Sequence, residues 1–212
     1  MRSFLFYKIL NICLQTQFIT IDIFTIRLYN IDILHTLKQG LKIKQKDDNM
    51  DRFYTCFFTG HRNIAQNKRD MLEHILDQKI AELIEYRGVD NFICGGALGF
   101  DTMSAEAVIR AKKRYPHIKL YLYLPCYNQS ALWSNEDQLI WQEMLKRVDN
   151  YKYISEENYY DGCMQKRNQK MADDAVYGIA YCLRSRSGTG MTMRYAASRG
   201  CIVENIADEI YS

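Results

Sequence analysis

The chain has no Cys-x-x-Cys pair, and its four histidines (His35, His61, His74, His117) do not pair at ligand spacing, so no zinc pattern is present. No Gly-Lys-Ser/Thr occurs, which excludes a Walker A loop. No uncharged apolar run reaches the ~18 residues of a membrane span, because Lys8, Asp22, Arg27 and Asp32 interrupt the N-terminal stretch. A basic excess is also missing where it would matter. Residues 1–49 hold seven Lys/Arg and four Asp/Glu, which accounts for the whole net charge of +3, and the rest carries 21 of each sign. Phosphate neutralisation dominates nucleic-acid affinity, so this balance argues against a nucleic-acid partner. The seven cysteines are odd in number and scattered. Cys56, Cys94, Cys182 and Cys201 fall in apolar runs, where a reduced cysteine behaves as a small hydrophobe, and a cytoplasmic setting fits them.

What is present is a globular composition, 48% apolar and 25% charged over 212 residues. Residues 1–49 differ from the remainder: rich in Ile, Leu, Phe, Asn and Lys, with no sustained period. They read as a poorly packed extension, or as upstream sequence translated ahead of a start at Met50. From Met50 onward short apolar runs alternate with helical stripes. Tyr54 to Phe58 reads as a strand, and Leu72, Ile75, Leu76, Ile80, Leu83 and Ile84 as a helix ended by Gly88. Asn91 to Cys94 is a strand, and Asp101 is placed to cap a helix running through Arg114. Proline is scarce: Pro116 closes that helix and Pro125 stops the strand Ile118 to Leu124. Ser134 opens a helix to Val148, followed by a strand from Tyr151 to Ser155. A helix within Gly162 to Asp174, a strand from Ala175 to Leu183, a helix from Thr189 to Arg199 and a strand from Cys201 to Ile206 complete the pattern. This alternation predicts one α/β domain over residues 50–212, Rossmann-like, with a mostly parallel sheet and helices on both faces.

Two glycine-bearing loops sit where strands hand over to helices. The first is Gly95-Gly96-Ala97-Leu98-Gly99-Phe100-Asp101, and the second Ser187-Gly188-Thr189-Gly190-Met191-Thr192. Glycines admit close backbone approach, and the first amides of a helix lack intrahelical partners, so such junctions suit an anion. The first loop is not GxGxxG, and the next strand ends Leu124-Pro125-Cys126 without a ribose-binding acid, which disfavours plain NAD binding. No cofactor or metal is called for. Arg62, after Thr59-Gly60-His61, is placed to pair with a phosphate, and His61 to act as acid, base or structural hydrogen-bond partner. Asp101 and Glu106 are the carboxylates available to a glycosidic cleavage. Trp133, Tyr159 and Tyr160 are loop aromatics able either to stack on a base or simply to pack. Cys163, at a helix start, has no identifiable partner base.

Thr59-Gly60-His61-Arg62, residues 95–101, Leu124-Pro125-Cys126, Tyr160-x-Gly162-Cys163-Met164-x-x-Arg167-Asn168 and Gly188-Thr189-x-x-Thr192 occur in this order. Together they resemble the YpsA-like branch of the SLOG superfamily, over about residues 53–206. The resemblance implies a Rossmann-like fold that recognises nucleotide-derived ligands. It implies ligand contacts at Thr59, Gly60, His61, Arg62, Gly95, Gly96, Gly99, Asp101, Arg167, Asn168, Gly188, Thr189 and Thr192, to which the residue reading adds Glu106, one turn beyond Asp101, if that helix end faces the pocket. It also implies bacterial or phage-borne relatives, some linked to cell division. The LOG phosphoribohydrolases of this superfamily carry a glutamate shortly after the second Gly-Thr. Here Thr192-Met193-Arg194 stands instead, so their hydrolysis does not transfer. The expectation is a cytoplasmic sensor of a nucleotide-like small molecule, with no membrane partner and a homo-oligomer allowed. The alternatives are an N-glycosidic hydrolase and a DprA-like nucleic-acid protein, the latter if Arg62, Arg167, Arg184, Arg186 and Arg194 cluster.

Overall fold

The computed structural model describes residues 50–211. The expectation for residues 1–49 lies outside them. The sheet has six strands, β1 Thr55–Gly60, β2 Asn91–Cys94, β3 Lys119–Leu124, β4 Asn150–Tyr153, β5 Tyr177–Tyr181 and β6 Ile202–Asn205, in the order β4-β3-β2-β1-β5-β6. Every pairing is parallel, with Phe57 opposite Ile93 on one side and Gly178 on the other. Burial explains which apolar runs became which strands. β2 is buried along its whole length and β1 and β3 nearly so, as sheet interiors covered on both faces require, whereas the edges β4 and β6 are only partly covered.

Among the described residues there are six α-helices: α1 Arg69–Arg87, α2 Phe100–Ala111, α3 Asn135–Arg147, α4 Cys163–Asp173, α5 Gly188–Ser198 and α6 Ala207–Tyr211. On one face, Cys56, Phe58, Phe92, Leu120, Leu122 and Ile179 pack against Leu72, Leu76 and Ile80 of α1, Met103 and Val108 of α2, Met144 of α3 and Ile210 of α6. On the other, Phe57, Ile93 and Tyr123 meet Met171 of α4 and Ala196 of α5. Burying side chains of this size contributes roughly 1.5–3 kcal/mol each. Gly88 ends α1 in the left-handed conformation at φ 66°, and the Ser134 hydroxyl accepts the Asp137 N–H at 3.1 Å to start α3.

Two local expectations are corrected, and one element was not foreseen. The cap of α2 is Gly99, at φ 81°, and Asp101 lies inside the first turn, because its carboxylate turns back to accept the Ala97 N–H at 3.2 Å. The same helix ends at Ala111 rather than Arg114. Lys113 and Arg114 are held by tighter i→i+3 bonds from their N–H groups to the carbonyls of Arg110 and Ala111. The short helix α6 after β6 carried too few residues to show a period.

Candidate functional site

The chain leaves β1 toward β2 on one side, then returns from edge strand β4 through α4 to β5 on the other side of β1. The order therefore reverses between β1 and β5, and in such sheets the crevice above those carboxyl ends is where ligands bind. His61 spans it. Its N–H donates to the Tyr181 carbonyl at 3.2 Å, and its Nε2 accepts the Leu183 N–H at 2.9 Å. Burial, with Arg184 nearby, lowers the imidazole pKa, so the ring is a neutral acceptor joining the two diverging loops. Asn205, at the end of β6, braces the same loop by exchanging two hydrogen bonds with the backbone of Cys182, at 2.9 and 3.1 Å.

The first glycine loop is occupied by the protein itself. A Cβ at Gly95 would overlap the Arg167 guanidinium, one at Gly99 the Arg62 carbonyl, and one at Gly60 the Phe100 ring. Gly96, at φ 63°, would bring a Cβ to 2.7 Å from Leu124, and its carbonyl accepts from Gln129 Nε2 at 2.5 Å. Arg167 is only 5% exposed and stands 3.5 Å from the Asp101 carboxylate. Burial raises the Asp101 pKa despite Arg167, and lowers that of Arg167 despite Asp101. This is a buried ion pair beneath a closed loop, flanked by the fully buried Cys94, Cys126 and Cys163. Burial pushes the thiols of Cys94 and Cys126 up, away from the thiolate form.

The second loop is open at Gly188 only, since a Cβ at Gly190 would overlap the Ser185 carbonyl. Ser187 caps α5, accepting the Gly190 N–H at 3.1 Å, and its hydroxyl donates to the Arg184 carbonyl at 2.7 Å. A Cβ on Gly188 would meet no atom within 4 Å. Beside it a cleft of about 490 Å³ runs between α4 and α5. Asn168 Nδ2 donates to Thr192 Oγ1 at 3.0 Å across it, and the Thr192 hydroxyl donates to the Gly188 carbonyl at 3.0 Å. Gln165, Asn168 and Gln169 share one face of α4 at i, i+3, i+4, and they face Gly188, Met191 and Tyr195 of α5. Among the described residues no Asp or Glu lines this cleft. Side-chain amides, the Thr192 hydroxyl and the Arg194 guanidinium at two helix starts make it a place for an anion or a polar heterocycle.

Asn168, Gly188 and Thr192 are thus gathered at the cleft, with Thr189 buried just inside it. Thr59, Gly60, Gly95, Gly96, Gly99, Asp101 and Arg167 belong to the packed interior of the same sheet edge, and His61 and Arg62 lie at its rim. Glu106 is not brought in: both its oxygens accept from Arg147 of α3, at 2.6 and 2.8 Å. Arg62 is exposed and lies over the Trp133 ring at 5.8 Å, separate from Arg167. Cys163 is fully buried. Tyr160 is bound to Ser155 through its hydroxyl at 2.8 Å, while Tyr159 stays exposed. The sequence reading missed Gln165 and Gln169, whose i, i+4 spacing was the available signal, and Gln129, for which there was none.

A family model, the YspA SLOG family, matches residues 54–180, from the start of β1 almost to the end of β5. The chain belongs to this family. The match includes the first glycine loop and Arg167 and stops before the second loop. Over 139 residues the chain is 32% identical to the uncharacterized SPbeta prophage-derived protein YoqJ of Bacillus subtilis (strain 168), spanning 60% of this chain and 79% of that protein. Two solved structures share the fold. DNA processing protein A (DprA) from Streptococcus pneumoniae superposes with a TM-score of 0.55 at 17% identity, over 76% of this chain and 54% of DprA. DprA from Helicobacter pylori, described for its single-stranded DNA binding mode, gives 0.52 at 16%, over 73% and 65%. The chain spans between half and two thirds of those proteins. Among the described residues no helix is long and apolar enough to cross a membrane.

Proposed function

We propose that the protein is a cytoplasmic binding or sensor protein for a nucleotide-derived small molecule, held by an anionic group at the first turns of α4 and α5. The observation that carries this is the open cleft between those turns, where Gln165, Asn168, Gln169, Thr192 and Arg194 stand beside Met164, Met191 and Tyr195, with no carboxylate and nothing crowding Gly188 among the described residues. A sensor is favoured over a glycosidic hydrolase because that reaction asks for a carboxylate beside the scissile bond. Asp101 is buried against Arg167, and Glu106 is doubly bonded to Arg147. The prophage origin in the name of the Bacillus relative fits a phage- or stress-linked regulatory role.

One observation favours a second reading, binding of single-stranded nucleic acid. Arg62, Arg184, Arg186 and Arg194 are exposed on the rim and have no carboxylate partner among the described residues, and a fold neighbour is described as binding single-stranded DNA. The balanced domain charge weighs against it.

Calorimetry with AMP, adenosine and a single-stranded oligonucleotide separates these readings. AMP binding at least about tenfold tighter than adenosine, roughly one charge-assisted hydrogen bond, and recovered intact after long incubation, is the expected result. Release of adenine, lost in Asp101→Asn, would establish the hydrolase. Tight oligonucleotide binding with no affinity for AMP would establish the nucleic-acid reading.

A further inference from the structure

Trp133 lies in the loop between β3 and α3, and its surroundings fix it without burying it. Its N–H donates to the Ser130 carbonyl at 3.0 Å, and its carbonyl accepts from Gln138 Nε2 at 3.0 Å. Its ring meets Trp141 edge-on, with centroids 6.2 Å apart. Trp141 is the packed member of this pair: it joins the core, with its Nε1 fully enclosed. Trp133 remains half-buried, beside a Leu132 that is 99% exposed. Both rings are half-buried, but Trp141 packs against the core cluster and Trp133 is not among the residues packed there.

Arg62 covers Trp133 loosely. At 5.8 Å from the ring centroid it is at the outer limit of a cation–π contact, which extends to about 6 Å. It has no carboxylate partner among the described residues to hold it there. A row of contacts then leads along the carboxyl edge: Trp133 to Arg62, Arg62 to its neighbour His61, His61 Nε2 to the Leu183 N–H at 2.9 Å, and Leu183 to Arg184. An aromatic face and arginines stand along one edge, above the point where the strand order reverses.

We propose that Trp133 is a shelf for a nucleobase, with Arg62 moving aside to admit the base and then closing over it, while the phosphate of the same ligand lies toward Arg184 and the start of α5. This rests on the reading that the ligand is nucleotide-derived, and adds which residues take its heterocycle. Every base presents a π face, so the shelf selects for a base rather than among bases. The base can belong to a free nucleotide or to a single strand.

The chain has two tryptophans, both in this cluster, so Trp141→Phe leaves Trp133 as the one tryptophan, read by exciting beyond the tyrosine absorption. That variant is titrated with AMP, ribose 5-phosphate and oligo(dA), reading emission and heat together. AMP is expected to change Trp133 emission, whereas ribose 5-phosphate binds without doing so. In the full chain, Trp133→Ala should weaken AMP about tenfold to a hundredfold and leave ribose 5-phosphate within about twofold, while Trp133→Phe retains most of the affinity. Affinity for oligo(dA) well above that for AMP, with the same emission change, assigns the base to a strand; the reverse assigns it to a free nucleotide. If AMP binds by calorimetry with emission unchanged and Trp133→Ala without effect, the shelf is wrong and the nucleotide reading survives. If neither AMP nor oligo(dA) binds, both fall. An unaltered urea midpoint in each variant shows that the fold is intact.

Discussion

The two glycine loops look alike in sequence and differ in space at one position, Gly188; Gly190 of the second loop is crowded by the Ser185 carbonyl much as the first loop's glycines are crowded. Residues 95–99 are filled by the chain's own Arg167, Gln129 and Leu124, so these glycines exist to let side chains in from elsewhere in the fold. Gly188, by contrast, faces a cleft with nothing against it. Glycine at a strand-to-helix junction thus reports only that something approaches the backbone closely. Whether that something is ligand or protein is decided by what the rest of the chain brings there. The family match covers the closed loop and not the open one, which fits a shared architectural role for the former.

The contrast breaks most severely at the ion pair. Replacing Arg167 by Met leaves the Asp101 carboxylate buried without its cation, which typically costs about 3–5 kcal/mol. We expect a loss of that size in urea denaturation. Burial then holds the Asp101 pKa above its unfolded value, so the folded state binds the extra proton and the loss should shrink as pH falls through that raised pKa. Asp101→Asn in the same background should recover part of the stability. If Arg167→Met unfolds at the wild-type midpoint, the first loop is not built around this pair.

Gly188→Val sharpens the other side. Its backbone is not in the left-handed region, and a Cβ there meets nothing, so the folding cost should stay within about 1 kcal/mol, the range of a helix-propensity change. Phosphorylated ligands should lose about tenfold or more in affinity, because the side chain enters the cleft. Gly96→Val cannot make this distinction: its φ of 63° and the nearby Leu124 make it a folding variant first. Unchanged AMP affinity in Gly188→Val would remove the cleft from the site.

The alternation of strands and helices was legible because it depends on local signals: buried runs such as Phe57 and Phe58, the Ser134 cap, the Gly88 terminator; the strand order and its reversal came only from the structure. The site was legible as a set of loops, and Asn168 and Thr192 do meet. What each loop does was not legible. The partner of Asp101 lies 66 residues away and that of Glu106 41 residues away, separations at which periodicity and capping carry no information. Arg62, read as a phosphate partner, and Arg167, a ligand contact by resemblance, stand apart, one on a solvated rim and the other in a closed interior.

The start of the chain offers a smaller test. Asp51 caps the first turn, and Arg52 donates to the carbonyls of Ala175 at 3.0 Å and Arg199 at 2.7 Å, tying this end to the far side of β5 and α5. We propose that the folding unit begins here. A chain starting at Met50 should then unfold within about 2 kcal/mol of the full chain, the scale of one large buried side chain. A larger loss would show that residues 1–49 are part of the core. Starting at Phe53 instead should be worse than starting at Met50, since it removes Arg52.

The smallest expected effect lies at the junction of the two loops. The His61 pKa is lowered by burial and by Arg184, so the unfolded chain binds a proton there more readily than the folded one. Stability from the neutral ring is therefore present above the unfolded value of about 6.5 and lost as pH falls through the lower folded value. Protonation of Nε2 removes the acceptor for the Leu183 N–H, which frees the loop leading to Gly188. We expect the urea midpoint to fall between neutral pH and pH ~5 by an amount equivalent to about 1 kcal/mol, one net hydrogen bond. His61→Gln, whose amide oxygen can accept but does not titrate, should flatten that part of the profile. If wild type and His61→Gln show the same pH dependence, the coupling between the closed edge and the open loop does not run through His61.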